Sequence, residues 1–198
     1  MKFFKENSYD IVRLYINQIG IAIFSLVLYT AVGIIEDAAL TTKIKALLSV
    51  FAILFYLVLL YTAAWDLGAK DKIKIDAGKL TQTKGKGAIM ALFANVPNLI
   101  ISIACALTSV LYILGCGEIF NTLSGVFNII MRLFMAMYLG LLQAIFIAFE
   151  GDTHLYFFLQ SLGYVFAPIL PILATHIGYS FGLKEKRIFA LNNNHKRK

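Results

Sequence analysis

Five long apolar stretches alternate with short polar intervals along this chain, at residues 11–35, 44–65, 88–114, 122–149 and 155–182. Each is long enough for a helix to cross a hydrocarbon core of about 30 Å, which takes about 20 residues at about 1.5 Å each. From residue 19 to 35 nothing is charged, and after Lys45 the second stretch carries no charge up to Trp65. Arg13 and Tyr15 at the start of the first stretch, and Tyr61 and Trp65 at the end of the second, suit headgroup depth. The pattern predicts an all-α fold: one integral membrane helical bundle of about five hydrophobic helices. Prolines at 97, 168 and 171 predict kinks in the third and fifth.

The intervals predict the remaining elements. Residues 1–10 lack the short core and cleavage site of a signal peptide, so the first stretch is expected to be an uncleaved anchor. Thr41 or Thr42 is expected to cap the second helix, Asn121 or Thr122 the fourth, and Asp152 or Thr153 the fifth. Residues 66–87 form the long basic interval, with six lysines against three aspartates. Within it, the alternation at residues 72–76 suggests a small strand pair. Lys70, Lys72, Lys74, Lys79, Lys84 and Lys86 mark it as a cytoplasmic loop that could also meet anionic lipid. The basic tail, residues 184–198, reads as disordered.

Composition agrees with this placement. The 198 residues are 60% apolar and 15% charged, with mean hydropathy +0.78, whereas soluble domains are about 45–50% apolar and about 25% charged. The net charge of +7 comes from clusters outside the apolar stretches, which fits membrane topology better than nucleic-acid binding. Cys105 and Cys116 are eleven apart with no CxxC, and no metal or redox spacing results. Glu150, Asp152 and His154 are too few oxygen donors for a hard cation and read as a solvated turn. No metal, cofactor or nucleic acid is expected.

Charge and hydropathy disagree about the number of crossings. Five crossings put the tail opposite the lysine loop and leave Lys and Arg nearly balanced. An even number collects fifteen on one side against two or three on the other, as the positive-inside rule prefers. A fifth stretch folded back at Ala167-Pro168 is one way to reconcile them. In the fourth stretch, Leu123, Val126, Phe127 and Ile130 lie opposite Ser124, Asn128 and Arg132. Either it spans from residue 122 with Arg132 deep, partnered by Glu118 or Asp37, or residues 122–131 lie in the interface and 133–149 span. The interfacial or tilted placement is preferred.

Polar and small residues inside the stretches are the candidate site residues. Asn95, Pro97, Asn98, Asn128, Arg132, Gln143 and His176 could form a midplane polar site. Ala136, Gly140, Ala144 and Ala148 recur every four residues, as do Ala174, Gly178 and Gly182, and the spacing lets another helix approach closely. The fourth and fifth stretches are therefore the expected close pair.

The runs WDLGAKDKIKIDAGKL at 65–80 and KGAIMALFANVPNLI at 86–100 resemble small multi-spanning membrane proteins of unassigned function from low-G+C Gram-positive bacteria. The resemblance implies a bacterial cytoplasmic membrane and carries no activity. There is no HExxH and no nucleophile–base pair at useful depth, so an enzyme is the weakest reading. The first reading is a non-catalytic membrane protein that packs against itself or a membrane complex. The alternative is a small-solute or ion transporter or channel using the midplane site.

Overall fold

The computed structural model describes residues 2–34, 37–149 and 151–186. Helix α1 spans Lys2–Val32, α2 Ala38–Asp76, α3 Lys86–Ile113 and α4 Glu118–Phe134. Then come α5 (Ala136–Phe146), one 3-10 turn at Ile147–Phe149, α6 (Thr153–Phe166) and α7 (Ile169–Leu183). The described residues form an all-α bundle. Four stretches are long and apolar enough to cross a membrane: Phe3–Val32, Ala38–Asp76, Lys86–Ile113 and Thr153–Leu183, the last being α6 and α7 in line.

The distribution of polarity shows why this sequence folds in lipid. Gln18, Ser49, Ser102, Asn128, Gln160 and Thr175 are among the most buried side chains, while Ile16, Ile23, Leu54, Ile100, Leu107 and Ile129 are exposed. A water-soluble core would reverse the two sets. Between lipid-facing helices, hydroxyls and amides bond one another because hydrocarbon offers them nothing.

Contacts fix which helix ends lie together. Phe3 stacks on Phe93 and Phe4 meets it edge-on, 6.2 and 5.8 Å between ring centroids, so α1 and α3 begin at the same end. Lys72 at the end of α2 pairs with Glu185 beyond α7 at 3.4 Å, and the Trp65 indole N–H donates to the Lys186 carbonyl at 2.7 Å. Lys86 at the start of α3 donates to Asp71 at 2.7 Å. We call this the loop end. At the opposite end, Tyr112 near the close of α3 meets His154 at the opening of α6, 4.0 Å between centroids.

Between those two residues runs α4–α5, which turns through 120° at Met135. Its entry follows α3 and its exit precedes α6, so it enters and leaves at the same end: a re-entrant hairpin. The fold-back offered for the fifth stretch lies in the fourth instead, and the fifth is one of the four stretches long and apolar enough to cross. Residues 118–149 thus form neither one straight span nor one surface helix but two helices joined at a sharp bend. Met135 (φ −122°, ψ 32°) ends α4, and its sulfur touches Ser102 at 4.0 Å. Ser102 lies eleven residues from the end of α3, about 16 Å along the axis, so the hairpin tip reaches roughly the middle of a bilayer.

Other boundaries differ for local reasons. Residues 2–10 are the opening turns of α1, and residues 72–76 close α2 as helix, with no strand among the described residues. At 39 residues α2 is about 58 Å long, so its charged last turns extend beyond any hydrocarbon core. Asp37, ahead of the expected threonines, caps α2 by accepting from the Ala39 and Leu40 N–H groups. Asp152 caps α6 in the same way. Helix α4 opens at Glu118 after Gly117, ahead of the expected caps. Helix α3 continues through Pro97, while the helix breaks between Phe166 and Ile169 at Ala167-Pro168. Residues 187–198, most of the tail expected to be disordered, lie outside the described residues.

Helix α2 is the hub, holding α7 and α5 along its length. A Cβ on Gly178 would strike the Tyr61 carbonyl, one on Gly182 the Trp65 carbonyl, and one on Gly140 the Lys45 carbonyl. The two small-residue ladders therefore sit against α2, and the expected pairing of the fourth stretch with the fifth is replaced by a shared partner. Ala136 is buried, Ala144 and Ala174 are half-buried, and Ala148 is exposed. Tyr29 ties α1 into this seam. Its hydroxyl bonds the Ser49 hydroxyl and accepts the Gly140 N–H at 3.0 Å. Tyr29→Phe should cost about 1 kcal/mol, lowering the Tm in detergent by about 2–4 °C. Ser49→Ala added to it should cost less than it does alone, because both remove the same bond.

Candidate functional site

The re-entrant hairpin carries the densest polar constellation. Ser124, Asn128 and Arg132 recur every four residues along the inward face of α4. Tyr156, Gln160 and Tyr164 do the same on α6. Cys105 and Ser109 face them from α3. The Ser109 and Ser124 hydroxyls are 2.6 Å apart, and the Cys105 thiol donates to the Ser124 carbonyl at 3.6 Å. The face of α4 turned outward is apolar, with Ile119, Val126, Ile129 and Leu133 exposed.

Gln160 is the junction and is fully buried. Its carbonyl oxygen accepts from Arg132 Nη2 at 3.3 Å and from Asn128 Nδ2 at 3.5 Å, and its Nε2 donates to the Tyr156 hydroxyl at 2.9 Å. Gln160 lies seven residues into α6, about 10 Å from its start. The guanidinium thus lies about two turns in from the start of α6. It also lies over the Phe157 ring, 5.8 Å from the centroid.

Two features set Arg132 apart. Among the described residues no carboxylate lies within 4.0 Å of it, so neither Glu118 nor Asp37 is its partner. Its Nε is buried and unpartnered. Around the hairpin tip other buried groups share that condition: both atoms of the Asn98 amide, the Tyr138 hydroxyl and the Tyr164 hydroxyl. Asn98 is one turn from Ser102 toward the loop end, and Tyr138 sits in the first turn of α5. Tyr164 lies within Coulombic reach of Arg132. Helix α5 begins at this point with no side-chain cap; the Tyr138 N–H donates to the Met135 carbonyl at 3.0 Å, and the positive end of the helix dipole lies at the tip.

The sequence-derived set therefore divides. Asn128 and Arg132 come together, and Asn98 lies near the tip of the same hairpin. Asn95 is buried but donates to its own helix at the Ala91 carbonyl, 2.9 Å. Pro97 is exposed, and Gln143 is half-buried on α5 outside the Arg132 group. His176 lies beside Gly87 at the loop end, remote from Arg132. Tyr156, Gln160 and Tyr164 were missed, although their four-residue spacing on an apolar helix was a readable signal.

The six lysines also separate. Lys86 is held by Asp71, Lys72 by Glu185, and Lys74 is 4.0 Å from Asp71, while Lys70, Lys79 and Lys84 are exposed. Among the described residues no group of three His, Cys, Asp or Glu is placed to hold a metal ion. Comparison with protein-family models, with curated proteins and with solved structures finds no match.

Proposed function

We propose that this chain is a non-enzymatic, multi-pass protein of a bacterial cytoplasmic membrane that binds a small anion at the tip of its re-entrant hairpin and serves its passage. The carrying observation is Arg132: a guanidinium about two turns in from the start of α6, hydrogen-bonded to an amide with no acid to neutralise it among the described residues. A charge there costs about 3 kcal/mol or more unless something repays it. An anion would meet Arg132, the uncapped start of α5 and the unpartnered Tyr138, Tyr164 and Asn98 groups. Broken helices in membranes offer anions this combination of dipole and side chains.

The reading as an accessory protein that packs through its small-residue ladders has less support, because Gly140, Gly178 and Gly182 are occupied by α2 of the same chain. The loop end is assigned to the cytoplasm. Among the described residues, four crossings and a hairpin collect eleven Lys and Arg at that end and leave Lys43 and Lys45 at the other, with Arg132 between.

Thermal unfolding of the detergent-purified protein in chloride, acetate or phosphate, at matched ionic strength, tests the site. At least one anion should raise the Tm in a saturable way, by the equivalent of about 2.7 kcal/mol at a hundred times its Kd. Arg132→Gln should abolish that rise. Identical Tm values in all three salts, or an undiminished rise in Arg132→Gln, would overturn the proposal.

A further inference from the structure

A second site lies at the loop end, away from the hairpin. A cavity of about 710 Å³ opens there between the first turns of α1, the end of α2 and the 77–85 connection. Its size is within the range of small-molecule sites, about 300–1,000 Å³. Asp71 and Tyr179 form a buried part of its wall, 6% and 3% exposed. Asp71 accepts both Lys86 at 2.7 Å and the Tyr179 hydroxyl at 2.8 Å, so its charge is already matched.

The remaining charges are sorted by wall. Glu6 and Asp10, four apart and so on one face of α1, line one side. Lys74, itself 4.0 Å from Asp71 on its own helix, and Lys79 line the other. Among the described residues neither acid has a basic partner within 4.0 Å, nor has Lys79 an acidic one. Two negative and two positive side chains thus face the same space without pairing across it. A simple anion entering would be repelled by Glu6 and Asp10, and a simple cation by Lys74 and Lys79. A molecule carrying both signs meets favourable charge at each end. Its hydrogen-bonding ammonium would lie toward α1 and its anionic group toward the lysines.

We infer that this cavity binds a primary-ammonium zwitterion of the phosphoethanolamine kind, either as a free solute or as a phospholipid headgroup. Its place at the end of the bundle lets a headgroup enter, and Phe3 and Leu80 supply apolar lining.

Calorimetric titration of the full chain with phosphoethanolamine tests the site. Glycerol phosphate, ethylamine and phosphocholine serve as probes lacking one charge or the N–H donors. Phosphoethanolamine should bind at least about tenfold more tightly than each of the three, a difference of about 1.4 kcal/mol. The Glu6→Gln/Asp10→Asn variant should lose about tenfold or more, and Lys74→Gln/Lys79→Gln likewise, each at unchanged Tm. In nanodiscs of equal phosphatidylethanolamine and phosphatidylglycerol, native mass spectrometry identifies the source. Phosphatidylethanolamine retained by the wild type and lost from Glu6→Gln/Asp10→Asn means a headgroup. No retained lipid with phosphoethanolamine binding intact means a free solute. The inference is overturned if neither form binds, if glycerol phosphate or ethylamine alone binds as well, or if the variants bind like the wild type. Arg132→Gln should leave this binding unchanged, which separates its outcome from that of the hairpin site.

Discussion

Gly178→Leu combined with Gly182→Leu is expected to leave no folded, monodisperse protein in detergent. At both positions the backbone of α7 rests on a carbonyl of α2. Any Cβ on Gly182 would also come within 2.9 Å of the Trp65 carbonyl carbon and 3.0 Å of the Ala69 nitrogen. The obstructing atoms are main chain, which cannot swing aside as a flexible side chain would. Gly68 makes the reciprocal contact from α2, with its own Cβ position 3.0 Å from the Leu183 nitrogen. The helices must therefore separate. Overpacking of this kind costs about 1–3 kcal/mol for one group and occasionally more, so Gly182→Ala alone should lower the Tm by about 2–12 °C. Gly125→Ala is the control: nothing lies within 4 Å of its Cβ position, and an alanine in an open helix should hold or raise the Tm slightly. Equal Tm values for Gly182→Ala and Gly125→Ala would show that the seam tolerates a methyl group and is not closely packed.

Asp71→Leu is expected to be the most damaging single change at the loop end. It leaves the Lys86 ammonium, 12% exposed, without its counter-charge and strips Tyr179 of its acceptor. Breaking a buried pair from one side costs about 3–5 kcal/mol. Lys86 opens onto the cavity, so the lower part of that range applies. Lys86→Met added to Asp71→Leu should restore much of the loss, because the pair is then removed as a unit. The measurement is a double-mutant cycle by thermal unfolding. Additive losses would mean that Asp71 stabilises through Tyr179 alone.

The all-α bundle and the membrane solvent were legible from block length and hydropathy. What escaped followed from tertiary packing. The tip of the hairpin lies in MRLFMAMYL at 131–139, a run with no proline or glycine whose residues all accept a helix. The break at Met135 is imposed by burial, since Met135, Ala136 and Met137 are each at most 1% exposed. Charge counting favoured an even number of crossings and offered a fold-back as one way to reach it, but at Ala167-Pro168 in the fifth stretch, whereas the sharp bend lies in the fourth. The extension of α2 to Asp76 was hidden because hydropathy ends a span where the bilayer ends, whereas hydrogen bonding continues the helix into water. The Asp71–Lys86 pair, fifteen residues apart with a turn between, left no periodic trace. In the site, Arg132 and Asn128 stood out as polar residues in apolar surroundings. Gln160 and the two tyrosines did not, because tyrosines at membrane depth usually read as anchors.

The central position of α2 has a consequence for biosynthesis. Its tightest neighbour is built much later: Gly178 lies 117 residues after Tyr61, the residue it touches. At about 5–20 residues per second, the first two helices wait roughly 6 to 23 s for that neighbour to leave the ribosome. Throughout this interval the carbonyls of Tyr61 and Trp65 face acyl chains or a surrogate, and until α5 follows the Tyr29 hydroxyl has Ser49 but not the Gly140 N–H. The nascent hairpin of α1 and α2 therefore depends on its own contacts and on the insertion machinery until the C-terminal helix slides into the groove kept for it.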